Sequence, residues 1–188
     1  MVTGVRRLLD GYAARTPEEA ADLARMRQLA GRHDPWTRAS LLHFTGSAFV
    51  VHPPTARVLL RWHARQEAWL QVGGHADPGE ADALVVAGRE AREETALADL
   101  VPWPGTALLH AVIVPVPANA TEPRHEHADL RFVLATATPA AARPEQESGR
   151  LRWLAIPDAV ALTTEANVRE SLRRIAELFA AGDVPPTR

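Results

Sequence analysis

The sequence predicts an α/β fold: a mixed sheet with helices on both sides, preceded by an N-terminal helical extension. Three observations carry this. Apolar runs of strand length recur between residues 41 and 154, bounded by Pro, Gly or polar residues. One of them, Trp69-Leu70-Gln71-Val72, feeds Gly73-Gly74 and then a helical pattern, giving strand, loop and helix in succession. The chain closes on a helical stripe of Val168, Leu172, Ile175, Ala176 and Phe179. At 188 residues there is room for one sizeable core. Residues 1–35 divide off as helices from a single domain over 36–188.

Val5, Leu8, Leu9 and Tyr12 recur at helical spacing and predict a first amphipathic helix. Thr16-Pro17-Glu18-Glu19 opens a second, with Thr16 as cap, Pro17 at the first helical position and Glu19 completing a capping box. It is expected to run to about Gly31. The pair is expected to pack on the domain as an extension, with a dimer contact or a lid as the alternative.

Strands are expected over Leu41 to His52, Arg57 to Trp62, and Trp69 to Val72, with Pro53-Pro54-Thr55-Ala56 as a turn. After the central helix, Val101-Pro102-Trp103-Pro104-Gly105 breaks the chain. Further strands are expected over Thr106 to Val116, Asp129 to Thr136 and Leu151 to Leu154. Polar loops are expected over Pro117 to His127 and Pro139 to Gly149. The closing helix should stop just before Gly182.

Composition excludes several classes. Net charge is −2, so there is no electrostatic case for nucleic acid or an anionic membrane as partner. Without cysteine there is no disulfide framework, thiolate nucleophile or thiolate metal site. No apolar run reaches transmembrane length and no signal-peptide pattern opens the chain, so a cytoplasmic protein is expected.

The chemistry concentrates in Gly73-Gly74-His75-Ala76-Asp77-Pro78-Gly79-Glu80 and Arg89-Glu90-Ala91-Arg92-Glu93-Glu94-Thr95-Ala96-Leu97. On a helix Glu90, Glu93 and Glu94 fall within an arc of about 100°. The opposite side, Leu84, Gly88, Ala91 and Thr95, is small and mostly apolar. It should pack on a sheet and turn the acids outward. Like charges at this spacing cost a helix about 0.2–0.5 kcal/mol, and a bound hard cation reverses that sign. Carboxylates beside substrate phosphates are what Mg²⁺ or Mn²⁺ prefers.

These residues resemble the box of the Nudix hydrolases: Gly, five residues, Glu, seven residues, then Arg-Glu-U-x-Glu-Glu-x-Gly-U, with U apolar. Gly74 to Glu80 fits, and so does Arg89 to Thr95. The chain departs twice: eight residues separate Glu80 from Arg89, and Ala96 stands where the family has Gly. The extra residue should sit in the loop before the helix, with Asp82 as N-cap. A wider likeness over about residues 40 to 160 is to a bacterial group of undefined substrate.

The resemblance implies an α/β/α sandwich and a metal-dependent pyrophosphohydrolase. The expected substrate is a nucleoside diphosphate linked to another moiety, or another small diphosphate. Glu90, Glu93 and Glu94 are expected to ligate Mg²⁺ or Mn²⁺, with Glu80 behind them or on a further ion. Arg89 is expected to orient a carboxylate. The Gly73 or Gly74 carbonyl is a further candidate ligand, and His75 adjoins the substrate. The general base, often outside the box in this family, is sought at Glu126, with Glu147 and Glu165 as rivals. A homodimer is possible.

Two other readings are kept. One is a Nudix-fold domain that senses nucleotide without turnover; against it, the acids are intact and no helix-turn-helix remains. The other is an isopentenyl-diphosphate isomerase-like enzyme, which shares a Gly-His in this loop but carries a catalytic cysteine that this chain lacks. His125-Glu126-His127-Ala128-Asp129 is a separate constellation. If Asp129 opens a strand, His127 shares its face, and His125 joins only if the strand extends back. A His-x-His pair can bind a transition metal. Trp62, Trp69, Trp103 and Trp153 are candidates for stacking a base, or for core.

Overall fold

The structure, a computed structural model, describes residues 4–118, 122–146 and 149–182. Two helices come first, α1 (Gly4–Asp10) and α2 (Pro17–Leu29). The Thr16 hydroxyl accepts the Glu19 N–H, capping α2 as expected. The reciprocal half of the capping box does not form. Glu19 instead turns inward, accepts the Arg15 N–H, and pairs with Arg174. A buried guanidinium outcompetes a backbone amide for that carboxylate.

The remaining elements are β1 (Leu42–His52), β2 (Arg57–His63), β3 (Ala68–Leu70), β4 (Val72–His75) and α3 (Ala83–Thr95). They continue with β5 (Val101–Pro102), β6 (His110–Val116), β7 (His125–Ala135) and β8 (Leu151–Ala155). The chain then folds into α4 (Ile156–Leu162) and α5 (Ala166–Gly182). Among the described residues the strands form one eight-stranded mixed sheet. Its spine is the parallel pair β1 and β7, in register from Leu42 opposite Glu126 to Val51 opposite Ala135. β2 and β4 run antiparallel to β1, and β5 and β6 antiparallel to β7.

Side chains alternate along these strands, so the sheet has two apolar faces. Phe44, Ala48, Val50, Leu130 and Phe132 pack with Val5, Leu23, Met26, Val86 and Ala91 of the first three helices. Phe49, Val51, Val133 and Leu60 pack with Ile156, Val168, Leu172 and Ile175 of α4 and α5. The expected sandwich of helices on both sides is therefore present. α2 and the connection before it cover the edge strand β6: Asp22 of α2 accepts the Ile113 N–H at 2.9 Å, and the hydroxyl of Tyr12, between α1 and α2, accepts the Ala111 N–H.

Several elements differ from the sequence reading. The stretch Trp69 to Val72, expected as one strand, is split at Gln71 between β3 and β4, and Gly73-Gly74, expected as loop, lies within β4 and pairs with Gly46 and Ser47 of β1. β6 starts at His110 rather than Thr106, and Gly182 is the last residue of α5 rather than the one after it. β7 starts at His125, inside the segment expected to be loop, because β1 offers a parallel partner from Leu42 onward. α4 was not expected; the residue before it, Ala155, makes no side-chain cap, which leaves Pro157 and Asp158 as its only start signals. No helix among the described residues is long and apolar enough to cross a membrane.

Candidate active site

Asp82 caps α3, its carboxylate accepting the N–H groups of Leu84 and Val85. From that cap the helix is regular to Thr95, so Glu90, Glu93 and Glu94 keep one helical register. Glu80 still reaches Arg89: the guanidinium donates to both Glu80 oxygens at 3.0–3.2 Å. The same guanidinium donates to Glu90 at 3.0 Å, to Glu93 at 2.9 Å and to the His75 carbonyl at 2.7 Å. Arg89 thus ties the glycine loop to the acids, and its hydrogen bonds hold the Glu80 carboxyl below its usual range. At its other end α3 stops on Ala96 in the left-handed region, φ 57°, where the family pattern has glycine.

The helix does not turn all three acids outward. Glu93 does face solvent, but Glu94 is only 7% exposed. Its carboxylate accepts the Gly73 N–H at 3.1 Å and pairs with Arg61 of β2 at 2.8 Å. Burial pushes this carboxyl up to about 7, against the pull of Arg61. Burial raises Glu90 as well. Glu90 lies so close to the strand that a Cβ on Gly74 would stand 2.6 Å from its carboxylate. Gly73 has φ 148°, where side chains are rarely tolerated, and a Cβ there would strike Ser47. One buried carboxylate, one half-buried and a solvent-facing third, against a bare glycine backbone, form a donor set that fits a hard dication.

A cleft of about 270 Å³ opens on the far face of β4. Gly73, Gly74, His75, Glu94, Arg61 and Glu165 are among its walls. Its floor is a charged pair that the sequence reading left unassigned. Asp129 accepts from Thr45 at 2.9 Å, Ser47 at 2.7 Å and Arg131 at 2.8 Å. Arg131 then donates to Asn167 and Ser171 of α5. Burial raises the Asp129 carboxyl, but Arg131 and the two hydroxyls outweigh it and hold the group ionised. Same-face charges two apart in an apolar strand were the available signal.

The acids outside the box separate. Glu165 lines the cleft. Glu126 points from the other face of β7 and pairs with Arg25 of α2, so the geometry does not bring it to the cleft; strand alternation between His125 and His127 dictates this. Glu147 lies outside the described residues. None of the four tryptophans lines the cleft. Trp62 and Trp69 contact each other, Trp103 contacts Phe179, and Trp153 donates to the Pro139 carbonyl. His75 lies beside His127, with His43 and His125 adjacent, and burial lowers His75 to about 3 and His127 to about 4.

The family profile of the NUDIX domain matches residues 42–175. No curated protein matches in sequence. Among solved structures, a C. elegans Ap4A hydrolase binary complex aligns with a TM-score of 0.57 at 18% identity, covering 73% of this chain and 98% of that one. The E. coli dihydroneopterin triphosphate pyrophosphohydrolase aligns with a TM-score of 0.54 at 21% identity, over 70% and 92%. A Nudix hydrolase of M. smegmatis, RenU, aligns at 0.54 and 22%, over 78% and 90%. With the sandwich, the glycine loop and the helix of acids in place, and with the profile spanning most of the chain, this protein belongs to the Nudix hydrolase family.

Proposed function

We propose that the chain is a divalent-metal-dependent hydrolase of the diphosphate anhydride in a nucleoside diphosphate linked to another moiety. The observation that carries this is Glu94: a buried carboxylate facing the Gly73 backbone at the wall of a cleft that also contains Arg61. The relatives named for dihydroneopterin triphosphate and for Ap4A support the substrate class.

Glu90, Glu93 and Glu94 would hold Mg²⁺ or Mn²⁺, which supplies charge neutralisation at the phosphate oxygens and a more acidic water. Arg89 fixes the rotamers of Glu90 and Glu93 and anchors them to the His75 carbonyl. Gly73 and Gly74 let the diphosphate approach the backbone. Arg61 faces the phosphates from β2. Glu165, at the cleft wall, takes the proton from the attacking water. Water adds to one phosphorus, the P–O anhydride bond breaks, and two phosphorylated products leave.

The test is a panel of nucleoside diphosphate derivatives with Mg²⁺ or Mn²⁺, assayed for phosphorylated products. Turnover that is lost on Glu93→Gln and on Glu94→Gln is the expected result. Tight nucleotide binding with no product from any panel member would instead identify a sensor.

A further inference from the structure

Four histidines gather at the end of the sheet, on the face away from Glu90. His43 and His127 are register partners on β1 and β7. His125 stands two residues before His127, on the same face. His75 of β4 completes the group, its Nε2 lying 3.2 Å from His127 Nε2. Gly74, next to His75, faces Glu90, so strand alternation puts His75 on the side of β4 away from Glu90, while Glu94 reaches the cleft that His75 and His127 also line.

The hydrogen bonds identify which nitrogens are bare. His43 Nδ1 lies 2.8 Å from the Ser40 carbonyl and His125 Nδ1 lies 2.9 Å from the Pro123 carbonyl. A carbonyl only accepts, so both Nδ1 atoms carry the proton and both Nε2 atoms present a lone pair. His43 is 1% exposed, and its Nε2 has no partner. His127 Nε2 sits 3.1 Å from the bare His125 Nε2 and 3.2 Å from His75 Nε2. One proton on His127 can serve one of these contacts and not both. The three ligand atoms of His43, His125 and His127 lie within 4.8 Å of one another. Nitrogens around a tetrahedral zinc with Zn–N of about 2.0–2.1 Å stand about 3.3 Å apart. The His127–His125 and His127–His75 spacings match that edge, and the ligand atom of His43 lies within 4.8 Å of those of His125 and His127.

We propose that His43, His125 and His127, with His75 as fourth ligand, form a second metal site for a borderline transition dication such as Zn²⁺. Imidazole nitrogen suits such ions, whereas Mg²⁺ requires oxygen. Donation of Nδ1–H to a backbone carbonyl is the usual way a ligating imidazole is oriented. Four protein ligands leave no open coordination position, so the ion pins the end of β4 to β1 and β7 and fixes the Gly73-Gly74 stretch of that strand from behind. The site does not depend on the hydrolase reading above.

The test uses the full chain carrying Glu90→Gln, Glu93→Gln and Glu94→Gln, stripped with chelator and titrated with Co²⁺. The expected result is one Co²⁺ per chain with the intense visible absorption of a four-coordinate ion, displaced by Zn²⁺ and not by excess Mg²⁺. His127→Ala and His43→Ala lose the ion. His75→Ala retains it with weaker absorption as water replaces the fourth imidazole. Should the alanine variants not fold, X-ray absorption on the zinc-loaded native chain decides. Imidazole scattering in the outer shell supports the site. An oxygen-only shell, or loss of all tight Co²⁺ binding in the triple variant, overturns it. Hydrolysis is read separately, so either idea can fail alone.

Discussion

Glu94→Gln should make the metal-free protein more stable while abolishing turnover. The Glu94 carboxyl is 7% exposed and burial pushes it up to about 7, from an ordinary 4.5. That difference corresponds to about 3 kcal/mol of cost for the ionised form near pH 7. Glutamine is neutral and nearly isosteric, and its side-chain oxygen still accepts the Gly73 N–H. Against this gain, Arg61 loses its partner, but that side chain is 29% exposed and can be rehydrated. Allowing about 1 kcal/mol for the pair leaves a net gain of about 2 kcal/mol. The sign with pH follows from a folded pKa above the unfolded one. The stabilisation from protonated Glu94 is fully present below about 4.5 and is lost as pH rises through about 7. The variant's advantage should therefore grow from pH 5 to pH 8. His75, His127 and His110 titrate the other way, because their folded pKa values are depressed by burial; their contribution is present above about 6.5 and lost as pH falls. They act alike in both proteins and cancel in the comparison. The assay is urea denaturation of parent and variant in EDTA across that pH range. Added Mn²⁺ should stabilise the parent more than the variant. A variant no more stable than the parent at pH 7.5, or a gap independent of pH, would refute the argument.

Ala96→Gly should stabilise the protein by about 1 kcal/mol in thermal or urea unfolding, since an L-residue in the left-handed region costs about 1–2 kcal/mol and glycine's unfolded-state entropy returns part of it. Glu19→Ala should cost about 3–5 kcal/mol, because it strips the two terminal nitrogens of Arg174, 1% exposed, of their carboxylate and leaves only the Nε ion pair with Glu170. In the parent, burial of Glu19 is outweighed by hydrogen bonds from Arg174, Tyr12 and the Arg15 amide, which hold its carboxyl at about 2. That contribution is present above about 4.5 and lost as pH falls through about 2, and acid titration of parent and variant reads it. Glu165→Gln should lower kcat by about 10²–10⁴-fold, whereas Glu126→Gln should leave kcat unchanged; the reverse outcome would transfer the proton-accepting role to Glu126.

Local features were legible in the sequence wherever one segment decides them. Most strand runs and the Thr16 and Asp82 caps follow from short-range pattern and are found in place, and the pairing of Arg89 with carboxylates, which the resemblance implied, is seen at Glu80, Glu90 and Glu93. What depends on segments meeting across the fold was not. An angular projection of α3 puts Glu90, Glu93 and Glu94 on one outward side. It cannot show that Arg61 and the Gly73 backbone close over Glu94. His43 belongs with His125 and His127 only because β1 and β7 pair in parallel with that register. Glu126 was sought at the cleft while the start of β7 was placed at Asp129; beginning the strand at His125 sends it to the opposite face. α4 was missed because it is one short segment without a capping residue, and Pro157 and Asp158 in its first turn were not read as a helix start.

The covering of β6 by α2 and the connection before it gives the N-terminal helices a protective duty. An uncapped outer strand is a template for another copy's backbone. Shorn of its first thirty-five residues, the chain would bare the amides that Asp22 and Tyr12 now occupy, together with the apolar surface under Leu23 and Met26. Such a fragment would be recovered as self-paired aggregates rather than as a smaller working enzyme.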